Sequence, residues 1–169
     1  SMDAATRPMY LRVRGVDQFD RVVGNVQNLV ELQRSLGRTT PRVSLWFTAM
    51  KVNLEELPDF VRLAAKIGVS EVYVQRLVFY GHGLAVQEQA LHGAVQERQE
   101  RLIEEAEGLA RSHDIAFKAS GLAAPLESLK GTDLGRRPWS GCQRPWTLSY
   151  VTANGNVLPC CIAPWTAKN

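Results

Sequence analysis

Apolar positions along the chain alternate between two rhythms. Over residues 19–36, Phe19, Val22, Val23, Val26, Leu29, Val30, Leu32 and Leu36 recur at three- and four-residue steps, the spacing of one helix face. Asp17 reads as the N-cap of that helix and Gly37 as its stop. Residues 42–50 then carry Val43, Leu45, Trp46, Phe47 and Ala49, a nearly continuous apolar run that suits a parallel strand buried on both faces. Asn53 with Glu56 three positions on has the form of a capping box, although Pro58 shifts the regular helix toward Leu57. That helix continues through Phe60, Val61, Leu63, Ala64 and Ile67 and stops at Gly68. Residues 71–79 form the next strand, residues 87–113 a long helix with Leu91, Val95, Leu102, Ile103, Ala106 and Leu109 inward, and residues 115–119 a short strand. Residues 1–15 have no clear period.

The predicted order is therefore helix, strand, helix, strand, helix, strand. Strands separated by helices favour a parallel α/β sheet with right-handed crossovers. A doubly wound sheet and an arc of a (β/α) barrel both fit this order. In either, the residues just beyond the C-terminal ends of the strands face the ligand, here 50–53, 77–83 and 120–123.

Composition narrows the class. The chain has 169 residues, 45% hydrophobic and 22% charged, as expected of a soluble globular protein. No apolar run approaches a membrane span and the first residues carry no apolar signal region, so a cytoplasmic location is expected. The net charge of +3 is spread along the chain without a basic, aromatic-interleaved stripe, which argues against nucleic acid as a partner.

All three cysteines, Cys142, Cys160 and Cys161, fall within the last 28 residues. Residues 147–152 are β-prone, Asn154-Gly155 supplies a tight turn, and residues 156–160 return, so a β-hairpin is expected to bring Cys142 and Cys160 toward one end of the ribbon. Two thiolates so placed suit one metal centre; a disulfide or a pair of free thiols is the plainer alternative. Cys161 points to the opposite face of a regular strand from Cys160. Residues 120–141, rich in Gly, Pro and Ser, read as a linker into this module.

The spacing carries a resemblance. Cys142, twelve residues, Gly155, four residues and Cys160 resembles the opening of the SPASM or twitch extension of radical S-adenosylmethionine enzymes, as do Pro145-Trp146, Tyr150-Val151, Asn154-Gly155-Asn156-Val157 and Pro159-Cys160-Cys161. Ser1-Met2-Asp3-Ala4 is similar to the Ser-hydrophobic-Asp-Gly/Ala segment at the end of that family's fourth barrel strand. Arg14-Gly15 with Phe19-Asp20 resembles the approach to the fourth helix, Asn53 to Val69 the fifth helix and its exit, and Val72 to Leu77 the sixth strand.

The resemblance implies a partial, TIM-like (β/α) barrel of parallel strands over residues 1–121, a linker over 122–139, and the start of an iron–sulfur extension over 140–169. It implies an oxidoreductase using a 5′-deoxyadenosyl radical for hydrogen abstraction, in peptide or protein modification. Ser1 and Arg14 would hold polar groups of S-adenosylmethionine, Gln75 and Leu77 would pass near its adenine, and Cys142 and Cys160 would ligate an auxiliary [4Fe–4S] cluster. Arg14 read alone is equally a surface arginine. The family's Cys-x3-Cys-x2-Cys cluster loop does not occur in this sequence. The expectation is a piece of a longer enzyme, from the fourth strand to the first extension cysteines, which does not cleave S-adenosylmethionine alone. Its partners would be the preceding half-barrel and the rest of the extension.

Other residues invite weaker readings. His82 lies between two glycines in a site-facing loop and titrates near neutrality, but a loop histidine more often faces solvent. His92 and His113 are expected to be exposed, and Trp139, Trp146 and Trp165 to pack around the cysteines. The competing overall reading is a non-catalytic α/β module whose cysteine hairpin binds zinc or a partner.

Overall fold

The computed structural model describes residues 1–79, 81–120, 124–131, 146 and 149–158. In chain order these form α1 (Arg7–Arg14), α2 (Phe19–Ser35), β1 (Leu45–Ala49), α3 (Leu57–Ile67), β2 (Glu71–Arg76), α4 (Glu97–Ser112), β3 (Ala116–Ala119), α5 (Pro125–Lys130), β4 (Tyr150–Val151) and β5 (Val157–Leu158). The first three strands form one parallel sheet in the order β1-β2-β3, with Leu45 beside Val72 and Val72 beside Phe117. Each parallel step is made by a crossover helix, as the alternating pattern predicts.

Among the described residues, the helices pack on one face of the sheet. In β1, Leu45, Phe47 and Ala49 are buried while Trp46 and Thr48 are half-buried; in β2, Val72 and Val74 are buried while Tyr73 and Gln75 are not. The buried set belongs to a single core with Val30 of α2, five residues of α3 including Phe60 and Val61, Ile103 and Ala106 of α4, and Leu129 of α5. Phe47 and Phe60 meet with ring centroids 5.0 Å apart. The two-sided burial expected of residues 42–50 is thus replaced by alternation, and this one-sided cover departs from a doubly wound sheet.

Gly68 closes α3 with φ 77°, donating its N–H to Ala64 and Ala65. A Cβ at that position would stand 2.8 Å from Arg34 Nη2 and 3.2 Å from Val30, so the absent side chain also lets α2 approach.

Several predicted boundaries move. Residues 7–14 form a helix although no period announced it. The strand expected over 71–79 ends at Arg76. The expected helix 87–113 begins only at Glu97, where Gln96 and Gln99 form a reciprocal capping box. Before it, Gly93 takes φ 72° and donates to the Leu129 carbonyl at 3.1 Å, while Leu91 remains in the core. Leu91 therefore keeps helical spacing without being helical. Asp17 is not a cap; Gln18 occupies that position, and Asp17 pairs with Arg7. The linker expected over 120–141 contains α5, which buries Pro125, Ser128 and Leu129. Asn53 and Glu56 do not cap α3; a short 3-10 turn, Leu54–Glu56, intervenes, and neither side chain bonds to the helix start.

β4 and β5 pair antiparallel, Tyr150 with Leu158 and Val151 with Val157, around Gly155 at φ 84°. Cys142, Cys160 and Cys161, with Trp139 and Trp165, lie outside the described residues. His92 and His113 are exposed. No helix among the described residues is long and apolar enough to cross a membrane.

Phe60→Ala should lower unfolding stability by about 3–5 kcal/mol, the range for truncating a fully buried ring. Leu32→Ala, at a side chain left 55% exposed on α2, should change it by no more than about 0.5 kcal/mol. Urea denaturation of the two variants measures the difference.

Candidate functional site

The face of the sheet turned away from the helices carries Trp46 and Thr48 of β1, Glu71, Tyr73 and Gln75 of β2 and Lys118 of β3. Strand alternation puts these residues opposite the core set. It is a polar and aromatic surface. Trp46 and Tyr73 stack with centroids 4.3 Å apart, and Trp46 Nε1 donates to Ser44 Oγ at 3.0 Å. At the N-terminal end of the strands, Glu71 accepts from Arg42 at 2.7 Å and Lys118 at 2.6 Å, tying the three strands at the end opposite the ligand positions.

At the C-terminal end the centre is Asp3. The Met2 N–H donates to the Trp46 carbonyl at 3.0 Å, so the opening residues lie along the outer edge of β1. Asp3 takes φ 63°, a region that Asp tolerates better than most residues. It is 2% exposed. Its Oδ1 accepts from the Thr48 N–H at 2.7 Å and from the Ser1 hydroxyl at 2.5 Å, and its Oδ2 accepts from Arg14 Nη1 at 3.0 Å. Thr48 would otherwise present an unpaired edge N–H, so one carboxylate both completes the strand edge and fixes a cation beside it.

Arg14 is the last residue of α1, a helix started by Thr6 with Pro8 in its first turn and ended by Gly15 at φ 72°. The corner between α1 and α2 is pinned where Arg7 donates both Nε and Nη2 to Asp17. That hydrogen bonding, first of all, holds the Asp17 carboxyl below its ordinary range, with the Arg7 charge adding to it. Arg14 bonds only Asp3 among the described residues, and its side chain remains 41% exposed. A guanidinium carries five N–H donors in a planar fork that matches a carboxylate or similar anion.

Of the residues predicted to hold a cofactor, Ser1 and Arg14 are brought together, both through Asp3. Gln75 lies on the same sheet face, beside Thr48 in register, and Leu77 follows directly beyond β2. No described hydrogen bond joins Gln75 or Leu77 to Ser1 or Arg14. Asp3 was legible only as part of the quoted tetrapeptide. Thr48, a backbone donor to the site, carries no sequence signal. Gln89 was also missed: its carbonyl and Oε1 accept from the N–H groups of Lys51 and Val52, both at 3.0 Å, fastening the loop after β1. Thr6 with Pro8 is a helix-start signal that could have revealed α1.

A hydroxyl and a guanidinium thus meet on one carboxylate near the strand ends. The described residues contain no group of three or more His, Cys, Asp and Glu side chains that could hold a metal ion. The predicted ligands Cys142 and Cys160 are outside them.

Over 83 residues, 49% of this chain, the sequence is 31% identical to the probable GTP 3′,8-cyclase of Saccharolobus islandicus and likewise to that of Saccharolobus solfataricus. The match spans 25% of the length of those relatives. The likeness supports the radical S-adenosylmethionine superfamily. No family model matches the chain. No solved structure matches it.

Asp3→Ala should reduce stability by about 1–3 kcal/mol, because it leaves the Thr48 N–H and Arg14 without their acceptor. Asp3→Asn, which keeps an oxygen for Thr48 and tolerates the positive φ, should lose less than Asp3→Ala. Urea unfolding of both variants separates the edge contact from the ion pair.

Proposed function

We propose that this chain supplies the second half of the barrel of a radical S-adenosylmethionine enzyme, followed by the start of a cysteine-rich extension. The observation that carries this reading is the likeness over 83 residues to probable GTP 3′,8-cyclases. The Asp3-centred rim at the strand ends supports it, as does a parallel sheet whose helices cover one face only. In this reading the uncovered face, with Trp46, Thr48, Tyr73 and Gln75, is the inner wall of a partial barrel.

The roles follow from the residues. Asp3 holds Arg14 by the strand ends and keeps its outer N–H groups directed at a bound carboxylate. The Ser1 hydroxyl, already donating to Asp3, offers its oxygen to an ammonium or hydroxyl of the same ligand. Gln75 supplies a carboxamide from the wall, and Leu77 an apolar edge for an adenine. S-adenosylmethionine, when bound beside a reduced cluster, supplies the radical chemistry that removes a substrate hydrogen. The cluster loop Cys-x3-Cys-x2-Cys does not occur in these 169 residues, so the chain's own part is to bind and orient.

The finer assignment follows the spacing of Cys142, Gly155 and Cys160. We take these cysteines as the first two ligands of an auxiliary iron–sulfur cluster and a peptide or protein as the substrate class. The antiparallel pairing of β4 with β5 around Gly155 is compatible with such a hairpin.

Two measurements test the reading. S-adenosylhomocysteine, added to the isotope-labelled chain, should shift the amide resonances of Met2, Asp3, Arg14 and Gln75, and Arg14→Gln should weaken that response about tenfold or more, as expected for a charge-assisted contact. Anaerobic treatment with iron and sulfide should give thiolate–iron absorption at roughly 400 nm that disappears in Cys142→Ala and Cys160→Ala. Resonances that do not respond, together with zinc bound in place of any cluster, would sink the proposal.

A further inference from the structure

We propose that Asn53 and Glu56 form a two-point clamp that sets where Arg14 stands. Both are positioning residues, and their importance for a ligand rests on the reading of Arg14 given above. The pair has the spacing of a capping box, yet both side chains reach back about fifty positions in sequence.

Asn53 is fully buried. Its Nδ2 donates to the Asp3 carbonyl at 2.9 Å and to the Thr48 carbonyl at 3.0 Å, and its Oδ1 accepts from the Met50 N–H at 2.9 Å. Both amide hydrogens are used. They fix the Asp3 main chain, with its positive φ, against the end of β1. Glu56 grips two residues a little further along, Ala5 and Thr6. Its Oε2 accepts from the N–H groups of Ala5 at 2.8 Å and Thr6 at 3.1 Å, and its Oε1 accepts from the Thr6 hydroxyl.

Thr6 is the N-cap of α1, and Arg14 is the last residue of α1. A helix of eight residues is a short, stiff rod about 12 Å long. Displacement at Thr6 is therefore carried to Arg14 rather than absorbed. Beside the clamp, the helix is located by the Arg7–Asp17 pair at its start and by little apolar burial. Tyr10 is its only buried residue, set edge-on to Phe19 at 5.8 Å. So short a helix does not hold itself by propensity, and polar contacts at its ends decide its position. The clamp holds both sides of the ion pair: Asn53 fixes the backbone of Asp3, and Glu56 fixes the helix that delivers Arg14. Because the two clamp residues lie on one 3-10 turn between β1 and α3, they move together.

The test is a double-mutant cycle on the whole chain, Glu56→Ala with Arg14→Met, followed by urea unfolding. No described contact joins Glu56 to Arg14, so independent roles would make their effects on the unfolding constant multiply to within about twofold. The clamp instead requires that Arg14→Met lose about fivefold or more of its effect once Glu56 is Ala. Glu56→Gln still offers an oxygen to the two N–H groups and should restore that effect. If Glu56→Ala does not fold, Glu56→Asp, one methylene too short to reach residues 5 and 6, takes its place in the same cycle. Multiplicative behaviour in the cycle that folds overturns the clamp. The experiment contains no cofactor, so that result would leave the S-adenosylmethionine reading standing, and failure of that reading would leave the cycle unaffected.

Discussion

Among the described residues, the fold depends on helices that bury one face of a parallel sheet. Leu45, Phe47 and Ala49 alternate with Trp46 and Thr48, and Val72 and Val74 alternate with Tyr73 and Gln75. All the helices that reach the core add their apolar side chains to the first set. Burial of that set is the dominant favourable term, being proportional to apolar area removed from water. The second set is left to other uses. A parallel sheet ordinarily has both faces covered; here the face that none of the described helices covers carries polar groups and a stacked aromatic pair. The division between a face that stabilises and a face free for chemistry is made within single strands, residue by residue.

Charge at the rim is handled by the same economy. A carboxylate as buried as Asp3 is unfavourable unless it is paired and hydrogen-bonded. Asp3 has a backbone donor from Thr48, a hydroxyl from Ser1 and a guanidinium from Arg14. Its partner is much more exposed, so only one of the two charges gives up most of its hydration. Arg14 can therefore stand at the strand ends while its side chain stays 41% exposed. No buried side-chain polar atom among the described residues lacks a hydrogen-bond partner. The rim is thus a satisfied network with an outward-facing cation, a stable arrangement before any ligand arrives.

Much of the fold was legible because its signals are local. The period of α2, the strand–helix alternation and the glycine stop after α3 follow from residues near one another in sequence. The errors have a common cause in contacts made at long range. Leu91 matches a helical spacing, but its segment is tied to Leu129 through Gly93. Asn53 and Glu56 match a capping box, and their side chains are taken by residues 3–6. Asp17 looks like a cap and is drawn off by Arg7. In each case a polar side chain or backbone group found a partner outside its own element, ten residues away for Asp17 and about fifty for Asn53 and Glu56. The network around Asp3 was legible in the same partial way: a resemblance pointed to Ser1 and Arg14, which both bond Asp3, whereas Thr48 joins by its main chain and leaves no mark in the sequence.

Those long-range contacts share a direction. Met2 and Asp3 bond to β1; Asp3, Ala5 and Thr6 bond to the turn that follows β1; Arg14 returns to Asp3. The opening fifteen residues bury few apolar side chains of their own, chiefly Met2, Ala4 and Tyr10. They are held by polar groups of the strand–turn–helix unit that they precede. Hydrogen bonds contribute less than apolar burial but are far more directional. A segment held mainly by them has its geometry specified more sharply than its stability. That balance explains why the guanidinium of Arg14 has a defined place beside β1 although the segment that carries it buries little apolar surface.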